Sequence, residues 1–165
     1  MIVTIGGFMA TGKSTVGRRL ADRLGWPFFD LDDLVETSCI NAYGKGITKL
    51  IEAGDEALFR LQERTVVDNL QIIKQPVVVS LGGGTLHNEG LGDWLDLHTL
   101  LVVLQASWVT VAKRIYESQR PLKMHAKTLF ESRQVGYERG YQLNVDLLTI
   151  PQVVDALEIW LKGKI

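Results

Sequence analysis

Three observations predict an α/β fold in which a parallel sheet is wrapped by helices. The runs Ile2 to Ile5, Val77 to Leu81 and Thr99 to Leu104 are continuously apolar, as strands buried on both faces are. Segments with apolar residues at helical spacing lie between them, and that alternation implies parallel strands joined by right-handed crossovers. Between the first run and the first helical segment stands Gly7-Phe8-Met9-Ala10-Thr11-Gly12-Lys13-Ser14-Thr15, the pattern G-x-x-x-x-G-K-S. A sheet of this kind places its site at the C-terminal edge of the strands.

The glycine pattern predicts a phosphate-binding loop. Its backbone must curl tightly enough for N–H groups to converge on phosphate oxygens, which glycine permits. Residues Ala10, Thr11, Gly12, Lys13, Ser14 and Thr15 would then line ATP, with Lys13 on the β- and γ-phosphates and the Ser14 hydroxyl on Mg²⁺. A ligand-free turn is the alternative; the strand before it and the helix after it favour the loop.

The chain has 165 residues, which suits one domain with a real core. Eighteen basic against 19 acidic residues give a net charge of -1, so no nucleic-acid or membrane surface is expected and a small anionic ligand fits better. The lone Cys39 excludes an internal disulfide, and His87, His98 and His125 lack zinc-ligand spacing. No apolar run approaches the ~20 residues of a membrane helix, and residues 1 to 5 are too short for a signal-peptide core. A cytoplasmic monomer is expected.

In chain order, Val16, Leu20 and Leu24 form the stripe of a helix from Lys13 to Leu24 that Gly25 stops. After Pro27, Phe28, Phe29 and Leu31 predict a short strand that places Asp30 and Asp32 on one side of an extended backbone. One carboxylate could assist Mg²⁺ and the other hold an acceptor hydroxyl; alternatively Asp32 or Asp33 caps a helix from Leu34 to Cys39. Asn41 to Gly46 reads as a loop and Ile47 to Ala53 as a short helix. A longer helix from Asp55 to Ile73 has the stripe Leu58, Val66 and Leu70. On it, Arg60 either pairs with Glu63 or grips a ligand carboxylate, and spacing alone favours a solvated pair.

Gly82-Gly83-Gly84 ends the strand Val77 to Leu81, where close approach to a ligand is favoured over a flexible turn. Asp93 to Leu97 is a short helix. Ser107 is placed to cap a helix carrying Val109, Ala112, Ile115 and Tyr116, which proline ends at Arg120-Pro121-Leu122. The polar stretch Lys123 to Lys127, flanked by Arg114, Arg120 and Arg133, suits a lid over a nucleotide, with a solvated linker as the alternative. Leu129 to Tyr141 is expected to be helical and Val145 to Ile150 to be the fifth strand. A last helix starts at Pro151 with the stripe Val153, Val154, Leu157, Trp160 and Leu161.

Taken together these residues resemble the shikimate kinase family of P-loop proteins. The resemblance rests on the phosphate loop, F-x-D-x-D at Phe28 to Asp32, E-x-x-F-R-x-x-E at Glu56 to Glu63, S-L-G-G-G at Ser80 to Gly84, R-P-L at Arg120 to Leu122 and R-x-x-x-Y at Arg133 to Tyr137. It implies a three-layer fold with a five-stranded parallel sheet in the order 2-3-1-4-5. The implied activity is ATP-dependent phosphorylation of the 3-hydroxyl of shikimate, a small carboxylated polyol; a gluconate kinase is the nearest alternative and a nucleotide-dependent switch or idle binding module the more distant one.

By resemblance, Lys13, Asp32 and Arg120 are the catalytic residues, with Arg120 reaching ATP from the lid. Ser14 and Asp30 hold Mg²⁺, and Asp32 binds the acceptor hydroxyl. Arg60 and Arg133 clamp the carboxylate, which reverses the spacing-only preference for Arg60, and Gly82, Gly83 and Gly84 line the acceptor. The implied acceptor-binding segment is about 31–62 and the lid, shorter than usual in the family, about 120–128. Ala10, Ile51, Asp55 and Val135-Gly136 depart from the family pattern.

Overall fold

The computed structural model describes residues 1–118 and 125–164. At its centre is β1 (Ile2–Gly7), bonded on one side to β3 (Val77–Ser80) and on the other to β4 (Leu100–Gln105). β2 (Phe28–Asp30) lies outside β3 and β5 (Tyr141–Asn144) outside β4, giving the expected order β2-β3-β1-β4-β5 with every pairing parallel. The register sets Ile5 opposite both Ser80 and Val102; β1 runs two residues past the end of β3, and because all strands are parallel their following loops share one edge.

The two-residue period of the strands divides the core between two faces. Val3, Ile5, Val78, Val102 and Leu104 meet Val16 and Leu20 of α1 (Lys13–Leu24) and Leu157 and Leu161 of α8 (Ile150–Lys162). Val77, Val79, Leu101 and Val103 belong to the opposite cluster. There they join Leu31 and Val35 of α2 (Leu31–Tyr43), Phe59 and Val67 of α4 (Glu56–Asn69), Leu95 of α5 (Leu91–His98), and Val111 and Ile115 of α6 (Trp108–Glu117). Leu50 of α3 (Ile47–Glu52) is in the same cluster, and Leu129 and Phe130 of α7 (Ala126–Arg133) pack against it. Each such side chain, fully buried, is worth about 1.5–3 kcal/mol, which explains why a near-neutral chain with two apolar faces closes into three layers.

Helix ends follow local chemistry. Gly25 stops α1 in the left-handed region at φ 67°. Ser107 caps α6 by accepting from the Thr110 N–H, and Thr149 with Gln152 forms a capping box ahead of Pro151 at the start of α8.

Several expectations are corrected. The fifth strand is Tyr141–Asn144, not Val145 to Ile150: Gly140, at φ 59°, turns the chain onto β4, where Tyr141 pairs with Val102 and stacks on Trp160. An available strand edge outweighed apolar content, and Leu147 is left 94% exposed. The helix expected to reach Tyr141 stops at Arg133 and is followed by a 3-10 turn, Val135–Tyr137.

Strand β2 ends at Asp30, and Leu31 is already helical. Asp30 itself is the N-cap of α2, accepting from the Asp32 N–H at 3.1 Å, so neither Asp32 nor Asp33 caps this helix and Asp32 is not on extended backbone. The helix continues through the expected loop to Tyr43 before Gly44 ends it.

Helix α4 buries Phe59, Glu63 and Val67 instead of Leu58 and Val66, one position round from the apolar stripe. A carboxylate occupies the inner face because partners wait for it there. On α6, Val111 and Ile115 face inward while Val109 and Tyr116 are exposed. No described helix is long and apolar enough to cross a membrane.

Candidate active site at the strand edge

The loop between β1 and α1 is held by its own groups. Thr11 Oγ1 donates to the Phe8 carbonyl at 2.8 Å, and Lys13 Nζ donates to the same oxygen at 3.0 Å. Gly7, at φ 136°, leaves no room for a side chain, since a Cβ there would stand 2.5 Å from the Leu104 carbonyl oxygen. Ala10 is the one described non-glycine residue with positive φ, at 63°. Gly12, also left-handed, is the N-cap of α1 and brings no side-chain cap, so the first-turn N–H groups are left for an anion. The cleft above the loop has a volume of about 440 Å³. It is lined by Met9, Ala10, Gly12, Lys13, Ser14, Thr15, Asp32, Leu81, Gly83, Arg114 and Ser118.

Beneath the cleft, oxygens from two strand ends, Asp30 of β2 and Ser80 of β3, converge with the Ser14 hydroxyl from the first turn of α1. Ser14 Oγ donates to Asp30 Oδ2 at 2.6 Å; Ser80 Oγ lies 3.1 Å from Ser14 Oγ and donates to Asp30 at 3.3 Å. Two hydroxyls and a carboxylate make a hard, all-oxygen donor set with space toward the phosphate loop. That chemistry fits Mg²⁺, which takes few protein ligands and completes its shell with water and phosphate.

Asp32 rises from the first turn of α2 toward the glycine turn after β3, where a Cβ on Gly82 would be 2.5 Å from Asp32 Oδ1. Desolvation raises the pKa of this carboxyl, the Asp30 charge pushes the same way, and Lys13 opposes them. Its carboxylate therefore holds a proton more readily than an ordinary aspartate.

Arg60 and Arg133 flank the same turn. A Cβ on Gly84 would stand 3.1 Å from Arg133 Nη2 and 3.2 Å from Arg60 Nη2, so the glycines keep open the space into which both guanidiniums point. Arg60 does pair with Glu63, at 2.9 Å, and with Glu56 at 3.2 Å. The Glu63 pair is not solvated, because Glu63 is buried and also accepts from Thr85 Oγ1 at 2.7 Å and Asn88 Nδ2 at 3.1 Å. Glu63 thus fixes the guanidinium from behind and leaves its other edge toward Gly84. On the far side, Arg133 Nη1 and Tyr137 Oη both donate to the Gly83 carbonyl, at 3.1 and 2.7 Å. Burial pushes the Tyr137 phenol up to about 12, so it stays a donor.

The residues expected from sequence thus divide into two adjoining groups. Ala10, Gly12 to Thr15 and Asp32 line the cleft, with Thr11 buried within the loop and Asp30 behind Ser14; Asp32, Arg60, Arg133 and Gly82 to Gly84 meet at the turn beside it. Residues 120–124 of the expected lid, Arg120 among them, lie outside the described residues. Sequence reading passed over Arg114 as a cleft residue. It stands one turn beyond the buried Val111 and reaches back to the Ala10 and Thr11 carbonyls, at 3.2 and 3.4 Å. An arginine at i+3 from a core valine was the available signal. Thr85 and Asn88 were also missed; the available signal was polar side chains directly after a glycine run at a strand end.

Residues 9–148 match the family described as "Shikimate kinase". The shikimate kinase of Chlorobium limicola is 37% identical over 172 aligned positions, covering 94% of this chain and 84% of that protein. That of Chlorobium chlorochromatii is 35% identical over 122 residues; the match covers 73% of this chain and spans 62% of the relative's length. Among solved structures, shikimate kinase from Aquifex aeolicus superposes with a TM-score of 0.81 at 28% identity, covering 99% of this chain and 98% of that one. Shikimate kinase from Acinetobacter baumannii in complex with shikimate gives 0.81 at 25% identity, covering 99% and 94%. A gluconokinase from Sinorhizobium meliloti gives 0.61 at 20% identity, covering 97% and 95%, a likeness of fold alone.

Proposed function

The chain belongs to the shikimate kinase family, and on that premise we propose that it transfers the γ-phosphoryl group of ATP to the 3-hydroxyl of shikimate. The observation that carries this reading is the convergence of Arg60 and Arg133 on Gly84, with Asp32 beside Gly82. Two forked cations next to a carboxylate suit an acceptor that has a carboxylate at one end and hydroxyls at the other.

In this reading the loop amides, the start of α1 and Lys13 bind and orient the triphosphate. Ser14 and Asp30 would hold Mg²⁺, with Ser80 behind them, and the charge neutralisation that such an ion supplies would assist phosphoryl transfer. Asp32 aligns the attacking hydroxyl in line with the γ-phosphorus, and its raised proton affinity lets it accept the proton as the oxygen–phosphorus bond forms. Arg60 and Arg133 fix the acceptor by its carboxylate, so catalysis is chiefly positioning and charge stabilisation. Arg114 is assigned to the loop wall on the nucleotide side. Arg120 is assigned to ATP from the R-P-L sequence alone. The acceptor segment is taken as 31–62, the lid as 120–128 and the whole as one kinase domain. A monomer without nucleic-acid or membrane partners agrees with the net charge of -1.

The test is a panel of shikimate, quinate, gluconate and nucleoside monophosphates with Mg·ATP and purified protein, with products detected directly. Phosphorylation of shikimate in clear preference to the others is expected. Turnover of gluconate without shikimate would overturn the reading.

A further inference from the structure

Arg133 owes its aim to a contact on its main chain. His87 ends the 3-10 turn Thr85–His87 that follows Gly84, and its Nε2 lies 2.8 Å from the Arg133 carbonyl oxygen. The ring also meets Tyr137 edge to face at 5.0 Å between centroids. Arg133 Nη1 and Tyr137 Oη return to the Gly83 carbonyl, so the glycine turn, His87, Arg133 and Tyr137 close a circuit of contacts.

His87 can sit there only because residue 136 is glycine. A Cβ on Gly136 would collide with His87 Nε2 and come within 2.6 Å of Cδ2 and 2.8 Å of Cε1. All three of its nearest neighbours are that ring. Gly136 is not among the residues with positive φ, so the backbone itself would accept another residue and space alone calls for glycine. A carbonyl can only accept, so Nε2 carries the proton in this contact. Desolvation lowers the pKa of the ring, its hydrogen bond to the Arg133 carbonyl opposes this, and the charges of Arg133, Arg139 and Arg60 lower it further, so the neutral imidazole is favoured.

We propose that His87 and Gly136 act as a matched pair of positioning residues: the imidazole, seated in the glycine notch and donating to the Arg133 carbonyl, holds the end of α7 so that the Arg133 guanidinium faces the acceptor carboxylate. This rests on the proposed kinase reading and adds to it what sets the grip on the carboxylate. Neither residue touches the reacting atoms.

The test is a double-mutant cycle of Gly136→Ala and His87→Ala, with His87→Gln as the conservative variant. Gly136→Ala should raise the KM for shikimate about tenfold, the scale of one lost charge-assisted contact, with the KM for ATP unchanged. His87→Ala should raise it ~5-fold, and adding Gly136→Ala to it should cost less than about twofold more, because the obstructing ring is gone. His87→Gln, whose amide reaches the same carbonyl, should return the KM to within about twofold of wild type. Toward the carboxamide analogue of shikimate the wild type and all four variants should behave alike.

An unchanged shikimate KM in folded Gly136→Ala, or an equal penalty with and without His87, would overturn the proposal. If Gly136→Ala does not fold, His87→Ala against His87→Gln decides, since neither adds volume to the notch. Failure of wild type to phosphorylate shikimate would instead count against the kinase reading. In that event the imidazole N–H signals of His87 in the unliganded protein still test the pair: an Nε2–H protected from solvent exchange, and unprotected in Gly136→Ala, supports it, and protonation at Nδ1 alone or equal protection in the variant overturns it.

Discussion

Asp32 is held where its charge is costly. Its pKa is raised in the folded state, so the fold binds this proton more tightly than the unfolded chain does. The associated stability is complete below the ordinary aspartate value and is lost as pH rises through the raised one. At neutral pH the ionised group therefore opposes folding. Asp32→Asn should raise Tm at pH 7 by ~1–2 °C, after solvent screening of a partly exposed group, with no rise at pH 3. The same substitution should lower kcat by about 10²–10⁴ while Mg·ADP still binds, because the base is lost and the nucleotide side is untouched. A thermal melt at two pH values beside a turnover assay checks both halves. Lys13→Ala should abolish transfer with the far-UV spectrum unchanged, since Lys13 lines the cleft and its loss leaves both core clusters intact. Near-normal turnover by that folded variant would detach the loop from catalysis.

Among the elements, α8 and α4 show opposite relations between local pattern and final placement. Pro151 and the 3.6-residue stripe were enough to place α8, while the capping box of Thr149 and Gln152 emerged only in the structure. Thr149→Ala should cost ~1 kcal/mol in chemical denaturation with an unchanged m-value and unchanged kinetics. Helix α4 was legible as a helix, but not its inward face. An apolar periodicity assigns carboxylates to water, whereas Glu63 is buried by three donors that arrive from Arg60 and from the Thr85–Asn88 segment. Glu63→Ala should lower stability by ~2–4 kcal/mol by stranding those donors, and should raise the shikimate KM as Arg60 loses its support. Denaturation and kinetics on one preparation test the two effects together. Strand β5 belongs with α4. Its exposed, alternating residues have less apolar character than the segment that follows, and only the free edge of β4 selected it.

For the whole molecule, the residues assigned to nucleotide and acceptor in the proposed reading come from the sheet and from helices on both its faces, so ligands should stabilise it globally. At a hundred times its dissociation constant, Mg·ADP should add about 2.7 kcal/mol, and shikimate should add a further increment that gluconate does not. Thermal shift with each ligand alone and in combination measures this. Some of this molecule was determined by residues close in the chain: the phosphate loop, helices α1, α3, α4, α5, α6 and α8 in outline, the buried strands β1, β3 and β4, and the glycine turn as a place of close approach. Those features depend on local backbone preference and on hydrophobic period, which a single chain displays in order. Tertiary structure alone decided that Asp30 caps α2 while Asp32 rises beside Gly82, that Glu63 turns inward, that Tyr141–Asn144 is the edge strand, and that His87 occupies the notch at Gly136. Each of those depends on a partner distant in sequence, and a buried charge or an edge strand is stable only where such a partner supplies the missing hydrogen bonds.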